Sequence, residues 1–447
     1  MNWPIDFTKN IKNNFGAQGD EILKALSLKQ FSSLRLHPQK PIKNAFGHNN
    51  IKWEKDGIQL NQEYSFVFDP LWHAGAYYVQ ESSSMFLGAV FNQLYTNTFP
   101  RKALDLCAAP GGKTTHLLSK MDDNGFLVSN EILPKRNAIL RENIQKWGYK
   151  NIIVTQNKPI DFQNTPNFFD LILVDAPCSG EGLFRKKPRA AQEWSTENVL
   201  ACATRQKQIL TEILPSLQNG GYLIYSTCTF EPSENEDIID FAINELNLNS
   251  IELDISEFEN ISKTSSKKGV GYYFFPHKVE GSGLFMAILQ KSGLPFDPKP
   301  KENPKSEFTF TDWLKTDDSI NIIKKNDRFF LFPNEHLDAI SHLSNSLYIT
   351  YLGIEIGQLK GKDFIPSHQL ALSNCLKENF NCIEVNKDNA LKYLKKIPFE
   401  PIQMPLNLGW AVVKFENTNL GWAKIIQGRI NNYLPLNWRI LKDLETT

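Results

Sequence analysis

The sequence predicts an α/β chain: a doubly wound, mostly parallel sheet, with an α+β leader before it and a β-rich region after it. Three observations carry this. Between about residues 101 and 290, short apolar runs alternate with stretches of helical spacing, the pattern of repeated strand–helix–strand units. A glycine pair, Gly111-Gly112, stands where the first run hands over to the first helical stretch. From about residue 306 the chain returns to short strand-like runs.

Bulk composition bounds the rest. A chain of 447 residues holds roughly two to four domains. Hydrophobic residues make up 41%, enough for ordinary globular cores. Lys+Arg and Asp+Glu both number 49, so net charge gives no sign of a nucleic-acid partner, and any basic surface has to be local. No apolar stretch reaches about 18 residues, so no membrane span is expected. The first ten residues lack the order of a signal peptide. The six cysteines form no CxxC or Cys/His cluster, which argues against structural zinc, and no metal site is expected. A reducing, cytoplasmic setting fits them best.

The elements follow in order. In the leader, residues 1–100, Phe15 to Leu28 has helical spacing and Phe31 to Pro38 carries a short strand. Trp72 to Met85 mixes aromatic and polar residues. It reads either as a lid packed on the next domain or as the edge of a site. In the central domain, residues 101–292, strands are expected at Ala103–Leu106, Gly125–Val128, Asn151–Thr155, Leu171–Val174 and Gly221–Tyr225. Helices are expected at Thr114–Met121, Pro134–Trp147, Glu197–Leu217 and Glu234–Leu246. Ser195 or Thr196 caps the third of these, and Asn219-Gly220-Gly221 ends it. Residues 271–277 and 283–289 read as a closing antiparallel hairpin. Residues 293–305, rich in Pro and Lys, read as a linker. In the C-terminal region, residues 306–447, Phe329–Pro333, Tyr348–Leu352 and Ala411–Phe415 are strand candidates.

Ligands of such sheets sit at the carboxyl ends of the strands, and the informative residues crowd there. The first strand end carries Cys107-Ala108-Ala109-Pro110-Gly111-Gly112-Lys113-Thr114. Either its glycines let the backbone approach a ligand that the free N–H groups of the next helix turn would face, or it is a tight structural turn with no ligand. It is neither a phosphate-binding loop, since Cys107 stands where that loop needs glycine, nor a G-x-G-x-x-G dinucleotide fingerprint. Glu131 follows the second strand, where a carboxylate either accepts both hydroxyls of a ribose or stabilises a helix start. Asp175-Ala176-Pro177-Cys178-Ser179-Gly180 and Ser226-Thr227-Cys228-Thr229-Phe230 end two further strands and bring two cysteines to one rim. Cys202, Cys375 and Cys382 read as structural. Arg185-Lys186-Lys187-Pro188-Arg189 is either a solvated loop or a phosphate contact. His277 either stacks on a base or packs in the core.

Taken together, Asp-Leu-Cys-Ala-Ala-Pro-Gly-Gly-Lys-Thr (105–114), Asp-Ala-Pro-Cys-Ser-Gly (175–180) and Tyr-Ser-Thr-Cys-Thr (225–229) resemble the Sun-type RNA cytosine-C5 methyltransferases, in the family's order. Residues 73–85 extend the likeness into the leader. Gly421 to Lys424 and Arg429 to Pro435 resemble the C-terminal PUA-like RNA-binding module of the RsmF branch, which acts on small-subunit ribosomal RNA. The resemblance implies a Rossmann-like class I methyltransferase sheet, S-adenosyl-L-methionine as cofactor, RNA (ribosomal RNA or the small subunit) as partner, and a monomer. It implies that Cys107 to Lys113 hold the methionine end of the cofactor, that Glu131 binds its ribose, and that Asp175 lies where cofactor and base meet. Cys228 is then the nucleophile, and Cys178 acts later in proton removal and release. One departure concerns the adenine: where the family has an Asp after the third strand, this chain has Lys158, with Asp161 three residues on.

The chemistry asks for this set. Cytosine C5 is a poor nucleophile until a thiolate adds at C6. Charge stabilisation at the N3 side eases that addition, a role for Asp175 if it is protonated or bridged by donors. The base has to be single-stranded or flipped out. Pro177-Cys178 with Glu197-Asn198-Val199 also matches pieces of DNA cytosine methyltransferases, but the latter triplet suits a helix start, and a second cysteine at the next strand end is the RNA-type arrangement. The alternatives are the same reaction on transfer RNA, and a non-catalytic RNA-binding or ribosome assembly factor.

Overall fold

A computed structural model describes residues 3–40, 42, 46, 48–96, 99–121, 125–186, 188–294, 308, 310, 312–315, 319–403 and 407–442. Its centre is a ten-stranded sheet. Five strands are parallel: β1 (Lys102–Asp105), β2 (Phe126–Asn130), β3 (Ile152–Thr155), β4 (Phe169–Asp175) and β5 (Leu217–Thr227). They are linked by helices α1 (Gly112–Lys120), α2 (Pro134–Trp147) and α3 (Thr196–Ile213), and α4 (Glu236–Leu246) follows β5. Antiparallel strands β6 (Leu248–Ile251), β7 (Ser262–Ser265), β8 (Val270–Phe274) and β9 (Leu284–Lys291) extend one side. A last strand, β10 (Ile349–Leu352), closes the other, giving the order β7-β8-β9-β5-β4-β1-β2-β3-β10 with β6 on β9.

The period of two along each strand explains why both faces are buried. Leu104, Val128, Ile153, Ile172 and Leu223 point to one core, closed by Leu210 and Ile213 of α3, Ile238 of α4 and Phe7 and Ile22 of the leader. Their neighbours Ala103, Leu127, Ile152, Leu173 and Ile224 point to the other, closed by Leu117 of α1 and Leu140, Ile144 and Trp147 of α2. The doubly wound architecture is therefore present, and the hairpin pairs Tyr272 with Met286 as expected.

Three expectations change. The leader opens with two helices, Ile5–Phe15 and Ala17–Leu26, broken at Gly16 (φ 54°), rather than one spanning 15–28. α3 stops at Ile213, because Pro215 has no N–H to continue it, and Asn219-Gly220-Gly221 instead forms an irregularity inside β5. The strand at 349–352 joins the central sheet, pairing antiparallel with β3, Leu352 opposite Ile153. Residues 295–305 of the expected linker lie outside the described residues.

The leader's strands (Ser33–Leu36, His48–Asn50, Gly57–Leu60, Tyr77–Val79) form a four-stranded sheet. It shares a core with the C-terminal sheet of Cys382–Glu384, Gly409–Phe415, Thr418–Ile426 and Arg429–Asn432, a cluster that holds Leu34 and Tyr77 together with Ile383, Leu391 and Ala423. A further antiparallel sheet spans Ile320 to Pro366. No helix among the described residues is long and apolar enough to cross a membrane.

Candidate active site

The glycine turn leaves β1 at Asp105. Its Ala109-Pro110 peptide is cis, and Gly111 adopts φ 112°, a left-handed geometry that suits glycine, at the cap of α1. A Cβ on Gly112 would stand 3.4 Å from the Tyr78 ring, so the leader walls the turn on that side. Asn143 ties both together: its Nδ2 donates to the Pro110 carbonyl at 2.8 Å and to the Tyr78 hydroxyl at 3.4 Å. The stretch 72–85 thus packs as a lid and also reaches the site.

Three carboxylates surround the turn. Asp105 is buried and accepts the Thr114 hydroxyl on Oδ2 at 2.6 Å, while Oδ1 is buried without a partner among the described residues. Burial pushes its pKa up to about 7 against the pull of that hydrogen bond. Glu131, at the end of β2, accepts the Leu133 N–H on Oε1 at 2.9 Å and faces the Arg136 guanidinium at 3.4 Å. Arg136 also donates to the Ala109 carbonyl at 2.6 Å, linking the second strand end to the turn. Asp175, at the end of β4, accepts Lys113 Nζ at 2.8 Å and the Ser226 hydroxyl at 2.7 Å, both on Oδ1. Burial alone would lower the Lys113 pKa, but Asp175 and Asp105 outweigh it and hold it raised.

The two cysteines meet. Cys178 Sγ and Cys228 Sγ lie 3.2 Å apart, one from each of two adjacent parallel strand ends, and the Cys228 N–H donates to Cys178 Sγ at 3.3 Å. The hydrogen bond to Cys228, then burial, pushes the Cys178 thiol well above its ordinary range. Cys107 is raised too, by burial, and lies against the core.

The remaining candidates have these partners. Asp161 uses Oδ2 to accept the Lys158 N–H at 2.9 Å, capping the turn Pro159–Asn164. Arg185 donates to the carbonyls of Leu28 (3.1 Å) and Gly281 (2.8 Å), so that guanidinium ties the leader down; Lys187 lies outside the described residues. His277 packs on Phe275 and faces Glu21 at 3.5 Å, a structural place. Glu197-Asn198-Val199 starts α3, with Ser195 Oγ accepting the Asn198 N–H.

Several supporting residues lie beyond the motifs. Glu234 Oε2 accepts the Ser179 N–H at 3.0 Å and Gln206 Nε2 at 2.8 Å, and Gln206 also donates to the Pro177 carbonyl. Ser179 and Thr229 share a hydroxyl contact of 2.8 Å, which binds the two cysteine loops directly. Glu181 accepts the Trp194 indole N–H and the Phe230 N–H. From the leader, buried Arg35 donates to Gln80 Oε1 (2.8 Å), Thr115 Oγ1 (2.6 Å) and Ser119 Oγ (3.2 Å). Glu54 accepts His116 Nε2 at 2.7 Å and pairs with Lys120 at 2.9 Å. The run Glu231 to Glu236 reads as a solvated acidic stretch in sequence; only its place behind two cysteine loops could have marked it.

Comparison with known proteins bears on the whole chain. Residues 97–290 match the family described as 16S rRNA methyltransferase RsmB/F, residues 380–440 the methyltransferase RsmF PUA domain, and residues 3–82 the N-terminal domain of 16S rRNA methyltransferase RsmF. The ribosomal RNA small subunit methyltransferase F of Salmonella paratyphi A is 30% identical over 383 residues, 81% of this chain and 78% of the relative. The protein of the same name from Escherichia coli (strain SE11) is 27% identical over 443 residues, 89% and 90% of the two chains. Among solved structures, a methyltransferase homolog protein from Pyrococcus horikoshii superposes with a TM-score of 0.54 at 25% identity, over 63% of this chain and 93% of that one. NSun6 from Pyrococcus horikoshii, solved with SFG, gives a TM-score of 0.54 at 20% identity over 65% and 98%, a likeness of fold. With matched segments covering leader, sheet and C-terminal sheet in that order, the chain belongs to the RsmB/F family of 16S rRNA methyltransferases and carries the N-terminal and PUA domains of its RsmF members.

Proposed function

We propose that this protein methylates C5 of a cytosine in 16S ribosomal RNA, using S-adenosylmethionine and a covalent bond between Cys228 and cytosine C6. The observation that carries the reading is the 3.2 Å approach of Cys178 and Cys228 beside the Lys113–Asp175 pair at the glycine turn. The donor set suits a cationic, diol-bearing cofactor. Asp105 has a buried oxygen without a partner among the described residues, Glu131 stands at the second strand end, and Gly111 and Gly112 place no side chain at the start of the helix. The turn Cys107 to Lys113 would hold the methionine end and Glu131 the ribose. When bound, the cofactor supplies an electrophilic methyl group on a sulfonium.

The chain's own residues do the rest. The contact with Cys228 and burial hold the proton on Cys178, and Cys228 is the sulfur that attacks. Its sulfur adds to C6, the electron pair of the C5–C6 double bond shifts through C4 to N3, and N3 takes up a proton from solvent, leaving C5 an enamine-like, nucleophilic carbon. Lys113 and Ser226 both hold Oδ1 of Asp175, which leaves Oδ2 to the pyrimidine ring. Once Cys228 is a thioether, its charge and hydrogen bond no longer act on Cys178, and burial is the cause that stays. After C5 has taken the methyl group and N3 has given up its proton, Cys178 passes its own proton to solvent and, as the base, takes the C5 proton; the C5–H pair re-forms the C5–C6 double bond and the C6–sulfur pair returns to Cys228. The test is incubation of the full chain with methyl-labelled cofactor and, in separate reactions, 16S ribosomal RNA and transfer RNA. Label in 5-methylcytosine supports the reading. Label confined to transfer RNA moves the substrate, and label in no RNA overturns the activity.

A further inference from the structure

A cleft of about 690 Å³ opens where the leader, the base of the central sheet and the C-terminal region meet. It lies far from the glycine turn. Gly148 and Lys150 on its wall follow the end of α2, whereas Glu131 precedes its start. That 14-residue helix, at 1.5 Å per residue, separates the two by roughly 20 Å. The cleft is at the amino-terminal edge of the parallel strands, away from the edge where the cysteines stand.

Its charge departs from the rest of the molecule. Lys+Arg equals Asp+Glu at 49 each over the chain, yet five lysines and two glutamates line this cleft. Lys315 is matched by Glu378 at 2.9 Å. Lys377 and Lys414, half-buried on opposite segments, form no salt bridge among the described residues. Lys40 sits between two backbone carbonyls, Ala74 at 3.0 Å and Lys146 at 2.6 Å, with no carboxylate partner among the described residues. Burial brings its pKa down to about 7, so an anion brought close would favour its charged form. Ammonium groups spread over several segments around a polar cleft suit a flexible polyanion rather than one small ligand.

We infer that this cleft is a second RNA site, holding a stretch of phosphate backbone about one helix length away from the target cytosine. The inference rests on the activity proposed above, and it implies that affinity depends on RNA outside the methylated nucleotide. The test uses the full chain carrying Lys377→Glu and Lys414→Glu, with Lys377→Gln and Lys414→Gln as the milder pair should charge reversal disturb folding. Substrates are a full 16S ribosomal RNA transcript and a fragment trimmed to the shortest length that wild type still methylates. For the full transcript, KM is expected to rise about 10-fold near physiological salt, and its log–log dependence on salt to flatten by about 1.5 to 2. The turnover number, cofactor affinity and kinetics on the trimmed fragment stay as in wild type. Unchanged KM and salt slope on the full transcript would overturn the inference. An equal loss on both substrates would overturn it too, by placing these lysines at the catalytic edge. Failure of wild type to methylate either RNA would strike the proposed activity instead.

Discussion

The buried carboxylate of Glu234 accepts the backbone N–H of Ser179 at 3.0 Å, the residue next to Cys178. It thereby anchors one cysteine loop from the segment that follows the other. Gln206 completes the anchor by bonding both Glu234 and the Pro177 carbonyl. Removing the carboxylate leaves a buried N–H and a buried amide unsatisfied, each costing about 1 to 3 kcal/mol. Glu234→Ala is therefore expected to lower methyl transfer by more than 10-fold while cofactor affinity holds. A loss of loop position, as opposed to general unfolding, shows as enzyme–RNA adduct that forms and fails to resolve at a temperature where the variant is folded. Normal turnover would show that the two loops hold their places without Glu234.

Arg35 belongs to the leader yet lies against helix α1. Its guanidinium bonds Gln80, Thr115 and Ser119 and covers the Trp147 ring at 4.5 Å. Among the described residues it has no salt bridge, and burial lowers its pKa to about 10. Arg35→Met should destabilise the protein by about 3 kcal/mol, since the partners stay buried when the donors leave. Arg35→Lys should recover little, because an ammonium cannot copy the fork. Thermal unfolding and cofactor titration of the full chain measure both. A shift in stability within 0.5 kcal/mol, as for an ordinary surface site, would show the leader to be docked by apolar contacts alone.

The Glu54–His116 pair makes the same junction pH-sensitive. Burial holds the His116 pKa down to about 4, so the folded protein keeps the imidazole neutral while an unfolded chain protonates it near 6.5. Burial alone would raise Glu54, but its bonds to His116 and Lys120 bring it down to about 2. Both groups bind more protons unfolded than folded across these ranges. Stability is therefore fully present above pH 6.5 and falls as pH drops, first through the His116 window from 6.5 to 4 and then through the Glu54 window from 4.5 to 2. Unfolding midpoints between pH 7.5 and 5 should fall, and His116→Gln should flatten that limb by about 2 kcal/mol. A variant with the wild-type slope would remove His116 from the cause.

What the sequence made legible depended on how local its signal was. The parallel strands β1 to β5 were readable because each is a short apolar run followed by turn residues, and their ends showed Glu131, Asp175, Cys178 and Cys228. The first helix was less so, since Phe7 and Ile11 are its only buried apolar side chains among Asn and Lys. The strand at 349–352 was visible as a strand, but nothing local says that its partner is Ile153, some 200 residues earlier. Buried polar groups were the hardest to see. Arg35 and Thr115, or Glu54 and His116, are ordinary surface residues in sequence. Only the fold sets them opposite one another and supplies the hydrogen bonds that make their burial tolerable.

The central claim is that Cys228 bonds the base and Cys178 is needed to let it go. Denaturing electrophoresis and intact-mass measurement of Cys178→Ala, incubated with 16S ribosomal RNA and S-adenosylmethionine, test it most directly. The expected result is a stable protein–RNA adduct, absent from the Cys178→Ala/Cys228→Ala double variant and from Cys228→Ala, which also transfers no methyl group. Full methyl transfer by Cys228→Ala, or an adduct that persists in the double variant, would contradict the account.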